Sequence, residues 1–218
     1  PLKKKHDPQE ETKLARIAEY INSAERPVML VGGGAIAAEA AEEVQQLMKK
    51  ADIPVVNTLM GLGTVPSSEE RFFGMLGMHG SYAANRCVAE ADLLLAVGTR
   101  FSDRVALNPK KFAKKAKVLQ IDLDRSEVNK NVMTTESVIG DCKEVLEKLL
   151  PQISENSHKE WIEKIAAWDR EKPTKVKECN SRMNPEEIIK YICSNVDKEA
   201  IYVTDVGQHQ MWAAQYVQ

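Results

Sequence analysis

Short apolar runs that stop at glycine or aspartate, with a helical pattern between them, constrain this sequence most. Val28-Met29-Leu30-Val31 ends at Gly32-Gly33-Gly34, and Leu93-Leu94-Leu95-Ala96-Val97 ends at Gly98. Val118-Leu119-Gln120-Ile121 ends at Asp122, and Ser137-Val138-Ile139 ends at Gly140-Asp141. A fifth run, 54–59, leads into Met60-Gly61-Leu62-Gly63. A strand with one wet face alternates apolar and polar residues, whereas a strand covered on both faces of a parallel sheet is apolar throughout. Parallel neighbours need a crossover rather than a tight turn. Helical patterns at 12–24 (Leu14, Ile17, Ala18, Ile21), at 35–50 as one helix, at 85–91 and at 143–150 supply it. The expectation is an α/β fold: a doubly wound, Rossmann-like parallel sheet of five strands over residues 12–152, after a flexible polar segment at 1–11.

Residues 153–182 are polar and carry no strand signal. Trp161, Ile165 and Trp168 share one helical face, the pattern of a packing stripe. The segment reads as a helical linker lying against a neighbouring domain. Asn184-Pro185-Glu186-Glu187 then opens a helix, with Asn184 as N-cap, Pro185 at the first helical position and Glu187 in the capping-box position. The apolar run 201–206 follows and is expected to be the first strand of a second α/β domain spanning 183–218. That domain reads as truncated, so the chain is expected to be a piece of a larger enzyme.

Composition excludes several classes of function. A net charge of −2 and a pI near 6.2 give no electrostatic footprint for nucleic acid or an anionic membrane. The four cysteines (Cys87, Cys142, Cys179, Cys193) form no CxxC pair and no metal spacing with the histidines, so no metal site is expected, and they suit a reducing, cytoplasmic setting. No apolar run approaches the ~20 residues that span a bilayer.

Ligands of open α/β sheets bind beyond the carboxyl ends of the strands, and the candidate site residues fall there. Gly32, Gly33 and Gly34 begin a G-x-G-x-x-A pattern suited to a pyrophosphate. The acidic residue of an NAD dehydrogenase is missing from the second strand, which carries Asn57 and Thr58. Thr58 and Leu59, then Gly77-Met78-His79-Gly80, then Gly98 with Arg100, Asp103 and Arg104, then Asp122 and Asp141 mark successive strand ends. Glycines let backbone approach a flat or phosphorylated ligand, arginines meet phosphate or carboxylate, and strand-end aspartates accept from ribose hydroxyls. Together they favour an extended dinucleotide. No nucleophile elbow, Walker loop or metal cluster appears, so no catalytic residue is expected in this stretch.

Gly77-Met78-His79-Gly80, Gly98-Thr99-Arg100-Phe101-Ser102-Asp103-Arg104-Val105, Ile121-Asp122 and Asp205-Val206-Gly207-Gln208-His209-Gln210-Met211-Trp212 resemble the catalytic large subunit of acetolactate synthases. The resemblance covers about 12–218. It implies the central domain of a thiamine-diphosphate enzyme, followed by the start of the domain that holds the diphosphate. It also implies FAD, without net redox change, on the strand-end residues above together with Cys142, and thiamine diphosphate on Gly207, Gln208 and His209. Magnesium is implied for the complete enzyme, through residues outside this sequence. Arg104 is implied to border a channel for 2-oxo acids. The activity implied is condensation of two pyruvates, or of pyruvate with 2-oxobutyrate, with loss of carbon dioxide, toward branched-chain amino acids. A homo-oligomer and a regulatory small subunit are the implied partners, and the stretch alone is expected to be inactive. Ser102 and Ala106-Leu107 depart from the family's commoner Asp and Thr-Gly. The alternatives are another thiamine-diphosphate 2-oxo acid enzyme, of the pyruvate oxidase or glyoxylate carboligase type, and a non-catalytic nucleotide-binding module.

Overall fold

The computed structural model describes residues 9–174, 184–197 and 199–217. Six parallel strands form one open sheet: β1 (Pro27–Val31), β2 (Val55–Asn57), β3 (Phe72–Met75), β4 (Leu93–Val97), β5 (Lys117–Asp122) and β6 (Glu136–Ile139), in the order β3-β2-β1-β4-β5-β6. The central pair is in register along its whole length, Pro27 beside Leu93 through Val31 beside Val97. Every residue of β1 and β4 is buried, as runs without alternation require.

The two faces of the sheet are covered by different helices. One face carries α1 (Glu10–Ser23), α2 (Gly33–Ala37), α3 (Ala41–Lys50) and α5 (Cys142–Leu149), packed through Leu14, Ile17, Val44, Leu47, Val145 and Leu149 onto Met29, Val31 and Leu95. The other carries α4 (Tyr82–Glu90) and α6 (Lys159–Glu171), packed through Ala84, Cys87, Trp161 and Ile165 onto Val28, Leu30, Leu94 and Ala96. The stripe Trp161–Ile165–Trp168 is thus buried on the central sheet's own second layer, against α4. Trp161 and Trp168 meet edge to face, with centroids 5.7 Å apart.

The amino ends of the strands are tied together by side chains. Asp92 accepts from the Glu25 and Arg26 amides, each at 2.9 Å. Asp52 binds the Arg71 Nε at 2.8 Å and accepts from the His158 amide at 2.6 Å. The buried His158 ring lies 3.0 Å from the Ala51 and Ala24 carbonyls, and Trp161 Nε1 donates to the Pro27 carbonyl at 3.0 Å. These bonds hold the chain after α5 beneath the sheet and deliver α6 to its face.

Three expectations need correction. The sheet has six strands rather than the five expected, the additional one being β3. It is an edge strand, half-buried in alternation, with Gly74 at φ +84° and a register shift against β2. The helix expected at 35–50 is two helices, because Glu39 takes a left-handed φ of +54° and the chain turns between α2 and α3. The run 201–206 is not a strand. It has no ladder partner among the described residues, and Ile201, Val203 and Val206 are 88%, 89% and 85% exposed. It lies between α7 (Pro185–Asn195) and α8 (Gln208–Tyr216). The Asn184 side chain accepts from the Glu186 amide and Pro185 is the first residue of α7, as the sequence predicts.

Candidate functional site

The strand order turns back on itself between β1 and β4, and the loops leaving these two strands part there to leave a crevice. Glycine brings their backbones together beneath it. The Gly34 amide donates to the Gly98 carbonyl at 2.9 Å. A Cβ on Gly34 would lie 2.7 Å from Gly98 Cα, and Gly98 itself has φ +60°. Part of the glycine pattern is therefore accounted for by loop packing, independent of any ligand.

Above that contact opens a cleft of about 970 Å³, within the range of small-molecule and cofactor sites. Its floor is Gly33, Gly34 and Gly98, and one side is formed by Thr58, Leu59, Met78 and His79. Arg100 and Arg104 supply positive charge after β4, and Asp122 stands at the end of β5. These ten, with Gly207 and Gln208 across the opening, are the sequence-derived candidates that the fold brings into one cavity.

The cleft is electrically asymmetric. Beyond β5 it is bordered by Asp122, Asp124 and Glu127, the last two held by the turn Arg125–Glu127, whose start Asp124 caps. Burial pushes the Asp122 carboxyl above its ordinary range, against the opposing pull of hydrogen bonds from the Asp124 amide and the Gln120 side chain. Asp124, fully exposed, is held below that range by Ser126. Glu127 Oε2 is shielded from solvent and has no hydrogen-bond partner among the described residues, while its other oxygen holds Lys130 at 2.7 Å. An acceptor left open in this way suits a ligand's hydroxyl or amine donor.

Other candidates lie outside the cavity wall, each for a visible reason. Gly32 sits beneath Thr99, with its Cβ position 2.7 Å from that side chain's Cβ. Gly77, at φ +109°, and Gly80 shape the loop: a Cβ on either would come within 2.2 Å of a carbonyl oxygen, of Arg104 and Met75 respectively. Asp103 points to solvent beside Arg104. Asp141 caps α5, accepting from the Lys143 and Glu144 amides. The Cys142 thiol is packed in the core, where burial pushes it up to about 12. His209 is exposed, its ring against Gly207.

Several wall residues were not among the candidates: Met60, Met75, Leu76, Thr99, Val105 and Glu127, with Val206, Gln210 and Met211 from the far side. Met60 and Thr99 adjoin chosen residues, and a strand-end rule widened by one position would have found them. Glu127 had no such signal, since only the turn at 125–127 brings it back to the mouth. The far wall is α8 and its approach. Gln215 Nε2 donates to the His79 carbonyl at 2.9 Å, which fixes this helix to the loop after β3.

A parallel sheet with a cleft of this size at the reversal of its strand order defines a doubly wound, Rossmann-like α/β domain. Residues 14–149 match the family model described as the thiamine pyrophosphate enzyme central domain, and the chain belongs to that family. It is 41% identical over 205 residues to the acetolactate synthase large subunit of Lactococcus lactis subsp. lactis, covering 93% of this chain and 36% of that protein. It is 37% identical over 211 residues to the large subunit of Cyanidium caldarium, covering 94% and 36%. Acetolactate synthase isozyme 3 large subunit of Escherichia coli is 36% identical over 210 residues, covering 93% and 37%. The chain thus spans about a third of the length of the curated relatives it matches.

Proposed function

We propose that this chain supplies the FAD-binding central domain, and the approach to the diphosphate site, of an acetolactate synthase catalytic subunit. The observation that carries the reading is a single cleft bounded both by the strand-end loops and by the 206–211 run. Identities of 36–41% along more than nine-tenths of the chain, to proteins of that name, support it.

The residues present fit FAD. Asp122 and the open Glu127 oxygen can accept from ribose hydroxyls or the adenine amine. Arg100 and Arg104 can meet the diphosphate with paired charge-assisted bonds. Glycine at 33 keeps the floor low, since a Cβ there would come within 2.9 Å of Met60 Cβ. Met60, Met78 and Met211 offer thioether and methylene surface to a flat ring. Gly207, Gln208 and the neighbouring His209 open α8 and would face a diphosphate with backbone N–H groups.

In the whole protein, thiamine diphosphate with magnesium would supply the carbon nucleophile that releases carbon dioxide from one 2-oxo acid and joins the remainder to another. The chain's own residues bind and orient. Arg104, with an exposed side chain at the rim, draws anionic 2-oxo acids toward the opening by its charge. Met75, Leu76 and Val105 keep the inner wall apolar and exclude water. A homo-oligomeric catalytic subunit and a regulatory small subunit belong to the same reading.

Titration of FAD against the 218-residue chain, followed by quenching of flavin fluorescence, tests the site. Saturation below ~100 µM supports it, on the scale where 1 µM is about 8 kcal/mol. Arg100→Ala is expected to weaken binding about tenfold, the worth of one charge-assisted hydrogen bond. A linear, unsaturable signal would sink the reading.

A further inference from the structure

Met78 and Arg104 are held opposite each other at the rim of the cleft by backbone as well as side chain. The Met78 amide donates to the Arg104 carbonyl at 2.9 Å, and Arg104 Nη1 lies 3.7 Å from Met78 Sδ. A thioether is a weak acceptor. The other ionic neighbour of Arg104, Asp103, is 4.0 Å away and exposed, where screening leaves little attraction. The guanidinium is therefore available to a ligand, with a latent acceptor atom already in reach. Met78 is 47% exposed, unlike Met29 and Met48, which are fully buried.

We propose that Met78 is a site of oxidative modification whose sulfoxide captures Arg104 and withdraws it from ligand binding. Hydrogen peroxide delivers one oxygen atom to Sδ. The peroxide O–O bond breaks, an S–O bond forms, the sulfur loses two electrons, and the peroxide leaves as water. The product presents a strongly polar S–O oxygen where a soft sulfur stood. The N–H···S contact becomes a charge-assisted N–H···O bond, about twice as strong as a neutral one. Because the backbone bond fixes both residues, capture needs only a small side-chain rotation. Sulfoxide reductases reverse the change.

Met133 is the internal control: 74% exposed, and on no wall of the cleft. The 218-residue chain, its Met78→Leu variant and its Met133→Leu variant would be treated with dilute hydrogen peroxide and digested for mass spectrometry. Sulfoxide is expected at Met78 and Met133 and not at Met29 or Met48. The rate at which an arginine-selective dicarbonyl modifies Arg104 is then expected to fall about tenfold in the oxidised chain and in Met133→Leu, and to stay unchanged in Met78→Leu. Oxidation of Met133 without Met78, or equal loss of Arg104 reactivity in Met78→Leu, overturns the proposal. An FAD titration on the same samples rests on the functional reading above and should weaken in parallel. If the untreated chain binds no FAD, that reading fails alone, because the Arg104 rate still decides this one.

Discussion

Strand β4 and the segment 201–206 are built from similar side chains and have opposite fates. Leu93-Leu94-Leu95-Ala96-Val97 is buried throughout, with β1 on one side and β5 on the other. Ile201, Val203 and Val206 stand almost wholly in solvent. An aliphatic run has the propensity to extend, but its backbone donors and acceptors need neighbours and its side chains need covering layers. β4 has two strands and two helical layers. The later segment has none of these among the described residues. What makes a strand here is its company.

That contrast can be broken by truncating one side chain in each region. Leu95→Ala is expected to lower unfolding free energy by about 2–5 kcal/mol, the range for cavities in well-packed cores. Val203→Ala should stay within about 0.5 kcal/mol, as exposed positions do. Chemical denaturation of both variants measures the difference, and equal losses would mean that 201–206 is buried in solution.

Helix α6 sharpens the comparison, because it lies beyond the matched family span of 14–149 yet is packed as core. Trp161→Phe keeps most of the apolar surface but leaves the Pro27 carbonyl without its donor. A loss of about 1–3 kcal/mol is expected, the penalty for an orphaned buried group. No loss would mean that α6 is only loosely attached.

The smallest effect concerns charge at the cleft. A carboxyl whose pKa is raised by folding, like that of Asp122, holds its proton more tightly in the native state than in the unfolded chain. Its contribution to stability therefore falls as pH rises from the ordinary carboxylate range through the raised value, then levels off. Asp122→Asn should flatten that part of the profile and leave the neutral-pH midpoint equal to or slightly above the parent's. Thermal melts across the acid range would show it, and a steeper profile in the variant would contradict the assignment.

The sheet was largely legible in the sequence because its central strands are apolar at every position and punctuated by glycine. β3 was hidden because an edge strand is covered on one side only, and Phe72-Phe73-Gly74-Met75 carries a glycine at its bend. The break at Glu39 had no proline or glycine to announce it. At the site, the strand-end rule placed the cleft, and ten of the upstream candidates line it. It could not say that Asp141 would turn back to cap α5 or that Cys142 would face the core. Those orientations follow from helix ends and packing, which a linear pattern does not contain.

The ties at the amino ends of the strands have a consequence for how such a molecule can change. Asp52, Asp92, His158 and Trp161 fasten one rim of the sheet, while the cleft occupies the other, a full strand length away. Substitutions among the loops of the open rim leave the fastened rim untouched. The scaffold can therefore be re-specified for a different ligand by exchanging loop residues, as a lathe accepts a new tool without being rebuilt.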